Sequence, residues 1–484
     1  MAKEFKNYIN GRWTASSDGQ TFEQLNPANL EEVTGIWPAS THADARTAIE
    51  AAAKAYESWS VMSVYKRAEY FKKVLEGMKK RKGEFAQILT MENGKTLKES
   101  EAEINSAIKE MEFQINEGLR LKGQTMPTSI EGVLAYSLRR PLGVVSIISP
   151  WNFPFNVPGR KVTPALMAGN TCVFKPASLT PGTGQKFVEL FVDADFPHGV
   201  INFVTGSGST VGQEMITNPA IKAISFTGSI AVGRKINQKA SEIMARTQLE
   251  MGGKNPIVVL EDGDLDAAAG ASVTAAYACA GQWCTSTSRV IVTRKIKDKF
   301  IERLIERAKK IVVGNGLDEK TTMGPVCGKA QLESIMNCID IGTKEGAKLT
   351  LGGKRIMSDG CDKGCFIEPT VFTDVKADMR IAQEEIFGPV LSIIEVSDFE
   401  EAVEVANNVE FGLSSSIYTR NLQKAFTFLE QTETGLTHVN LMTALKEPQL
   451  TFGGIKESGF GIPEAGKTGI EFFTDHKVAY VKYR

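Results

Sequence analysis

The feature that most constrains this chain is a repeated alternation of short apolar runs and helix-like runs that starts near residue 144. The apolar runs are VVSIIS (144–149), TCVFK (171–175), VINFV (200–204) and AISF (223–226), and a stretch with helical spacing follows each of them. Strands that alternate with helices of this length predict right-handed βαβ crossovers and a parallel, doubly wound sheet. We therefore predict an α/β fold with a ligand site beyond the carboxyl ends of its strands.

A second alternation follows Gly253. It consists of NPIVVL, a helix of small residues at 264–280, SRVIVTR, a helix at 296–312 and VLSIIEV at 390–396. Because 484 residues exceed the size at which a single core keeps growing, we expect a second α/β domain. The final segment, KVAYVKYR, is predicted to be a strand with no local partner, of the kind that joins another sheet, including one in another subunit.

The charge balance excludes a polycationic surface for nucleic acid, because the formal net charge is −1 with 23% charged residues. The opening residues MAKEFK lack the apolar core of a signal segment, and the small-residue stretch 265–282 is interrupted by Asp266 and by Gly and Ser. We therefore expect small-molecule partners, no membrane span and a cytoplasmic location.

The cysteines give no metal or disulfide pattern. The seven cysteines are scattered and no CxxC pair occurs among them. Cys361 and Cys365 flank a polar, glycine-rich stretch, which we interpret as a surface loop. No metal site is predicted.

Two glycine-rich turns follow predicted strands and precede predicted helices. The turn Gly206–Gly212 resembles GxGxxG but has Val211 where the last glycine would stand, and Gly228–Gly233 opens the next helix. Exposed N–H groups and the helix dipole at such a turn can hold a pyrophosphate. The alternative is that both are ordinary βα turns.

Three side chains have types suited to catalysis. Cys284 follows Gly281 and precedes hydroxyl residues, which predicts an accessible turn, although it could equally be a structural thiol. Glu250 stands among apolar and glycine residues after an expected helix, so it is either a general base or one half of an ion pair with Lys254 or Lys239. Asn152, between two aromatic residues, is either a turn former or an oxyanion donor.

Seven segments together resemble the ordered signatures of the aldehyde dehydrogenase superfamily. They are PWNFP (150–154), FKPAS (174–178), FTGS (226–229), LEMGGKNP (249–256), GQWCTSTSR (281–289), EEIFGPV (384–390) and FGGIKESGFG (452–461). The resemblance extends over essentially the whole chain. It implies two doubly wound parallel-sheet domains and a small β oligomerisation arm.

The resemblance also implies a mechanism. The thiolate of Cys284 attacks the aldehyde, and the amide of Asn152 and the backbone N–H of Cys284 hold the oxyanion. Hydride then leaves to the nicotinamide, and water activated by Glu250 hydrolyses the thioester. Relatives that transfer the acyl group to coenzyme A generally lack this glutamate, so the acid product is favoured.

For the dinucleotide, the resemblance implies a site built from both halves of the chain. The cofactor residues are Trp151, Lys175, Ser178, Gly208, Gly228, Ser229, Gly233, Glu385 and Phe387. NAD-preferring members commonly carry a glutamate where this chain has Ser178. Because serine removes the repulsion that a carboxylate exerts on a 2′-phosphate, we expect NADP to be accepted and even preferred, with NAD as the alternative.

The substrate is predicted to be a short aldehyde with an anionic group. Arg160 matches a position that pairs with the substrate carboxylate in succinic semialdehyde dehydrogenases, whereas Ala278 replaces its partner arginine. Lys446, in a loop similar to that of 2-oxoglutarate semialdehyde dehydrogenases, can replace the lost charge, and Trp283 narrows the channel. The alternative is that Arg160 forms only a helix-surface ion pair.

The same resemblance predicts the domain limits. Residues 1–117 and 141–252 form the dinucleotide-binding domain, 253–452 the catalytic domain, and 118–140 with 467–484 the arm of a homodimer or homotetramer. Two other classes remain open: a non-catalytic member that kept the fold, and a coenzyme A-acylating enzyme.

Overall fold

The computed structural model describes residues 3–484. Its strands, in chain order, are β1 (Asn7–Ile9), β2 (Arg12–Thr14), β3 (Thr21–Asn26), β4 (Asn29–Pro38), β5 (Thr125–Met126), β6 (Val133–Pro141), β7 (Val144–Ile148), β8 (Thr171–Lys175), β9 (Ile201–Phe203), β10 (Ile221–Thr227), β11 (Arg246–Glu250), β12 (Asn255–Val259), β13 (Thr287–Thr293), β14 (Lys348–Leu351), β15 (Thr370–Thr373), β16 (Val390–Val396), β17 (Phe411–Gly412), β18 (Ser414–Tyr418), β19 (Leu436–Val439), β20 (Thr451–Phe452), β21 (Ile455–Lys456), β22 (Gly459–Phe460), β23 (Glu464–Ala465) and β24 (Thr474–Lys482).

The helices pack on both faces of the sheets that these strands form. In chain order they are α1 (His42–Trp59), α2 (Val64–Lys80), α3 (Lys82–Asn93), α4 (Leu97–Leu119), α5 (Asn156–Met167), α6 (Pro181–Asp193), α7 (Gln213–Thr217), α8 (Ile230–Glu242), α9 (Leu265–Tyr277), α10 (Lys297–Ala308), α11 (Lys329–Lys344), α12 (Arg380–Gln383), α13 (Phe399–Asn407), α14 (Leu422–Gln431) and α15 (Gly466–Glu471). A short π-helix, Gly208–Gly212, precedes α7.

The first large sheet has the order β2-β1-β9-β8-β7-β10-β11-β22. Its five central strands are parallel, and β1 and β22 join the edges antiparallel. The chain runs outward from β7 through β8 to β9 and then returns to place β10 on the other side of β7. This reversal is the switch point of a doubly wound sheet, where ligands bind.

The second large sheet has the order β14-β15-β16-β13-β12-β18-β19, and all of its pairs except β14 with β15 are parallel. Its strands β12, β13 and β16 are buried, which is why they appear in the sequence as unbroken β-branched runs. Two parallel sheets with flanking helices confirm the predicted α/β fold class.

A third, smaller sheet has the order β24-β6-β5. β24 pairs antiparallel with β6 along its whole length, from Thr474 opposite Pro141 to Lys482 opposite Val133. The C-terminal strand therefore has no local partner and joins another sheet, as predicted, and that sheet belongs to its own chain. This three-stranded sheet is the predicted arm.

Two predictions need correction. The helix of small residues ends at Tyr277 rather than at 280, because the backbone turns left-handed at the following residues. Cys361 and Cys365 are buried, although residues 362 and 363 between them are exposed: Cys361 packs with Ala28 and Phe366, and Cys365 belongs to the core around the second sheet. Within residues 3–484, no helix is both long and apolar enough to cross a lipid bilayer.

Candidate active site

A cavity of about 360 Å³ opens between the two large sheets, beyond the carboxyl ends of β7, β10 and β11. All six residues predicted for catalysis and substrate binding line it. They are Asn152, Arg160, Glu250, Trp283, Cys284 and Lys446. Residues separated by almost 300 positions therefore meet at one place, as the strand-end argument requires.

A left-handed turn presents Cys284 to this cavity. Cys279 and Ala280 have φ angles of 51° and 53°, and Gly281 continues the turn at 71°. A Cβ on Gly281 would lie 2.2 Å from the carbonyl oxygen of Gly388, so only glycine fits there. The turn stops α9 and redirects the chain so that the thiol faces the cavity.

Hydrogen bonds hold the loop that carries Cys284. The amide of Asn255 donates to the carbonyl oxygens of Cys284 and Ser286 at 2.7 and 2.8 Å, and the indole of Trp283 donates to Ala275 at 3.0 Å. Burial raises the pKa of the Cys284 thiol to about 12, and the Arg160 guanidinium opposes this rise. The resting thiol is therefore protonated.

Asn152 follows β7 and faces the thiol across the cavity. Its side-chain amide donates to the carbonyl oxygen of Gln282 at 3.1 Å, and its oxygen accepts the backbone N–H of Phe153. An amide carries two N–H donors, so this contact fixes the side chain and leaves one donor for a ligand.

Glu250 is the last residue of β11, not of a helix, and neither predicted lysine pairs with it. Its carboxyl is buried, and Oε2 has no hydrogen-bond partner. Burial, reinforced by the nearby Glu464 carboxylate, raises the pKa of Glu250 well above its ordinary value. A buried carboxyl with a free oxygen and a raised pKa is suited to general-base chemistry.

Arg160 lies on α5, which is buried over its whole length. Its guanidinium donates to the Asn156 oxygen at 3.2 Å, lies 3.5 Å from Glu110 and 3.6 Å from Glu464, and stacks 4.7 Å from the Phe452 ring centre. The alternative of a helix-surface ion pair is wrong about the surface, because the side chain is only 5% exposed, but Arg160 does face two carboxylates.

Lys446 approaches the same corner from the 441–450 segment. Its ammonium lies 2.8 Å from Glu110. Burial lowers the pKa of Lys446, while the Glu110 carboxylate favours the charged form. Two cations thus share one carboxylate oxygen at the end of the cavity.

A second cavity of about 240 Å³ joins the first at Cys284. The predicted cofactor residues that line it are Trp151, Gly228, Ser229, Glu385 and Phe387. Burial raises the pKa of Glu385 to about 7, and the backbone N–H of Gly253 donates to its carboxylate at 2.9 Å. A Cβ on Gly252 would lie 2.1 Å from that carboxylate, which explains the double glycine of LEMGGKNP.

The aromatic wall of this second cavity is held by strained backbone. Phe387 has a φ of 54°, and the amide of Gln331 donates to its carbonyl oxygen at 2.9 Å. The ring meets Trp151 edge to face at 5.4 Å. An aromatic slot next to a carboxylate and the Cys284 thiol fits a planar nicotinamide with its ribose.

The other predicted cofactor residues lie outside both cavities, at the starts of successive helices along the same sheet. Lys175 ends β8, Ser178 precedes α6, Gly208 opens the π-helix, and Gly233 lies in α8. The Lys175 ammonium donates to the Pro176 carbonyl at 3.1 Å, and burial lowers its pKa to about 8. The Ser178 hydroxyl is exposed and donates to Gly206.

Sequence reasoning missed the buried acids that surround the cations. Glu464 pairs with Lys161 and Arg160, and Glu110 pairs with Arg160 and Lys446. Glu110 had a detectable signal, because it stands on the face of α4 that also carries Ile104, Ala107 and Met111, where an acid is unexpected. Glu464 had no such signal in the sequence, because its strand has only two residues and therefore shows no periodic pattern of apolar side chains.

Comparison with known proteins agrees with this geometry. The model of the aldehyde dehydrogenase family matches residues 13–479. The chain is 42% identical to an alpha-ketoglutaric semialdehyde dehydrogenase of Bacillus subtilis, with 99% of this chain and 98% of the relative covered. It is 40% identical to an alpha-ketoglutarate semialdehyde dehydrogenase of Haloferax volcanii, with both chains fully covered.

Solved structures give the same result. The fold superposes with a TM-score of 0.96 on the betaine aldehyde dehydrogenase of Staphylococcus aureus in complex with NAD⁺, at 34% identity and covering 99% of this chain and 95% of the other. The match to the family model extends over almost the entire chain. The chain therefore belongs to the aldehyde dehydrogenase family and is an NAD(P)-dependent oxidoreductase that acts on aldehydes.

Proposed function

We propose that this enzyme oxidises a short aldehyde carrying an anionic group, a carboxylate first, to the corresponding acid. The observation that carries the proposal is that Cys284 shares one cavity with Arg160 and Lys446. Both relatives named above act on alpha-ketoglutarate semialdehyde. The semialdehyde of 2-oxoglutarate is therefore the first candidate substrate, with succinic semialdehyde next.

Arg160 supports an anionic substrate because it has unused donors. A guanidinium has five N–H groups. One nitrogen donates to Asn156, Nε faces Glu110 at 3.5 Å without a hydrogen bond, and the third nitrogen lies 3.6 Å from Glu464, so the fork retains N–H groups that no protein acceptor binds. A carboxylate at this wall would accept from the guanidinium fork and from Lys446, whereas a quaternary ammonium would be repelled.

Cys284, Asn152 and Glu250 are proposed to carry the chemistry. The thiol of Cys284 loses its proton to solvent, the thiolate attacks the carbonyl carbon, and the free amide hydrogen of Asn152 stabilises the oxyanion of the thiohemiacetal. After oxidation to the thioester, Glu250 takes a proton from a water molecule, and the resulting hydroxide attacks the acyl carbon. Release of the acid returns the thiol.

The dinucleotide fits the second cavity. Glu385 would accept hydroxyls of the nicotinamide ribose, Phe387 and Trp151 would hold the ring, and Gly228 with Ser229 would face the pyrophosphate at the start of α8. A bound nicotinamide supplies the hydride acceptor of the reaction. Ser178 and Lys175 would lie at the adenine ribose, and the lack of a carboxylate there favours acceptance of NADP⁺.

Hydrolysis is favoured over acyl transfer to coenzyme A, because Glu250 lines the cavity with an unpaired oxygen. A non-catalytic role is disfavoured, because Cys284, Asn152 and Glu250 all face one cavity. Coenzyme A is therefore expected to leave the rate unchanged.

The assembly is proposed to be a homodimer or homotetramer in the cytoplasm, with the predicted domain limits. The β24-β6-β5 sheet supports the assembly, because it exposes Leu134, Val478 and Tyr480. Exposed large side chains grouped on one small sheet favour cover by another copy of the chain.

A substrate panel tests the proposal. Semialdehydes of 2-oxoglutarate and succinate, pentanal and betaine aldehyde are compared by kcat/KM with each dinucleotide. We expect the two anionic aldehydes to exceed pentanal by at least about tenfold and betaine aldehyde to be the poorest, since a charge-assisted hydrogen bond contributes about 1.5–3 kcal/mol. Lys446→Met should remove most of that advantage without changing pentanal oxidation. Equal use of pentanal and semialdehydes by the unmodified enzyme contradicts the proposal.

A further inference from the structure

The two cations at the end of the substrate cavity are held by a carboxylate that does not itself reach the cavity. Glu110 on α4 lies behind Arg160 and Lys446, with Oε1 at 3.5 Å from the guanidinium and 2.8 Å from the ammonium. Its other oxygen, Oε2, is buried without a hydrogen-bond partner. Arg160 and Lys446 hold the pKa of Glu110 below its ordinary value despite its burial, so the carboxylate is charged.

The remaining charged groups around the cavity cancel or lie elsewhere. Glu464 lies 3.6 Å from Arg160 and forms an ion pair with Lys161, so the charges of Glu464 and Lys161 cancel beside the two cations. Glu103 forms an ion pair with Lys95 at 2.5 Å. Burial and the nearby Glu464 raise the pKa of Glu250 above its ordinary value, which favours its neutral form.

Glu99, the last acid on the cavity wall, lies at the other end of it. It precedes Glu110 by eleven positions on the same helix, a rise of about 16 Å. It also receives the backbone N–H groups of Thr96 and Cys279. The end wall therefore consists of two positive charges and one negative charge.

We propose that Glu110 is a specificity-determining positioning residue: it leaves the end wall with one net positive charge, so that the site prefers a monoanionic aldehyde, a carboxylate or sulfonate, over a dianionic phosphonate. This inference rests on the proposed function, because it assumes that the anionic group of the substrate meets Arg160 and Lys446. It adds that the charge number of that group is selected.

The preference for a monoanionic aldehyde follows from the way charges pair at the buried end wall of the cavity. One negative charge from the substrate, together with Glu110, balances Arg160 and Lys446. A second negative charge has no further cation to meet, and it faces Glu110 across the two cations in a poorly solvated wall. Removing the charge of Glu110 turns the wall into a doubly positive one that matches a dianion.

Three aldehydes with matched chains test this charge selection. They are 4-oxobutanoate, 3-oxopropylphosphonate and the monomethyl ester of that phosphonate, compared by kcat/KM at about pH 9, where the phosphonate carries two charges and its ester one. We expect the unmodified enzyme to favour the ester over the dianion by at least about tenfold.

Glu110→Gln should reduce this preference to within about threefold or reverse it. The steric difference between ester and phosphonate is the same in both proteins, so the change in ratio reports charge alone. The matched control is Glu112→Gln, which removes a charge from the same helix at a surface ion pair with Lys79. The control should keep the ratio of the unmodified enzyme.

Several outcomes overturn the inference. The inference is overturned if the unmodified enzyme has the same kcat/KM for the phosphonate dianion and for its ester. This measurement does not depend on whether Glu110→Gln folds. An unchanged ratio in folded Glu110→Gln also overturns it. If pentanal matches 4-oxobutanoate, the proposed function itself fails. If the phosphonate and its ester both have a higher kcat/KM than pentanal but do not differ from each other, only the charge selection fails.

Discussion

Ser178 places a neutral hydroxyl in the turn that leads into α6, three residues after Lys175 at the end of β8. We predict that Ser178→Glu lowers kcat/KM for NADP⁺ by at least about tenfold, because a carboxylate repels a 2′-phosphate at close range. The value for NAD⁺ should stay the same or rise. Both are measured in side-by-side steady-state kinetics with one aldehyde.

The matched control for this prediction is Ser178→Gln, which has the size of glutamate without its charge. If only the size of the side chain matters, Ser178→Gln should lower kcat/KM for NAD⁺ and for NADP⁺ by similar factors. A strong NAD⁺ preference of the unmodified enzyme would contradict the role given to Ser178.

Glu250 gives a prediction on pH dependence. Burial raises its pKa, and a general base acts in its deprotonated form, so the rate of thioester hydrolysis should increase as the pH rises through that raised pKa. Glu250→Gln should abolish this increase and lower kcat by at least about a hundredfold. A pre-steady-state burst of about one reduced nicotinamide per site should remain.

The burst itself reports on Cys284 rather than on Glu250. Because burial raises the pKa of the thiol to about 12, the burst rate should also rise with pH, in both the unmodified enzyme and Glu250→Gln. Cys284→Ser is the control without a burst. A hydrolysis rate that is independent of pH between about 6 and 9 would contradict Glu250 as the base.

At the scale of elements, helix α6 depends on a residue from another helix. The carboxylate of Glu92, at the end of α3, accepts the backbone N–H groups of Gly182 and Thr183, both at 2.7 Å, and the Thr183 hydroxyl at 2.8 Å. It thereby satisfies donors that the first turn of a helix leaves free. It thereby anchors the first turn of α6, which follows the turn that carries Ser178.

We predict that Glu92→Ala lowers the free energy of unfolding by about 2–4 kcal/mol, because it leaves buried N–H groups without acceptors. The KM for the dinucleotide should rise as well. Urea midpoints followed by tryptophan fluorescence measure the first effect. Gln87→Ala, an exposed position on the same helix, is the control, and an equal midpoint shift in both variants would contradict the capping role.

The sequence predicted which strands and helices form better than it predicted the residues at which they end. The strand TCVFK and the helix that follows it stand where their patterns predict. The helix of small residues, however, stops three residues early, since the left-handed residues Cys279 and Ala280 carry no glycine or proline signal. Their conformation is imposed by close packing of Gly281 against Gly388.

At the scale of the whole molecule, the arm sheet predicts assembly. Val478 and Tyr480 on β24 are 57% and 73% exposed, although both are apolar and lie in a regular strand. The double variant Val478→Lys and Tyr480→Glu should convert an oligomer to monomers in size-exclusion chromatography with light scattering. Lys482→Gln on the same strand is the control. A monomeric unmodified protein would contradict the prediction.

The amino-acid sequence by itself determined the class of fold, because the alternation of apolar runs and helices permits little but parallel sheets. It also singled out Cys284, Asn152 and Glu250, whose ordered segments resemble a known family. Only the tertiary structure decided which charges meet. Glu110 and Lys446 are more than 300 positions apart and contact each other only because α4 packs against the 441–450 segment. Pairing of this kind depends on burial and distance, which no local pattern encodes.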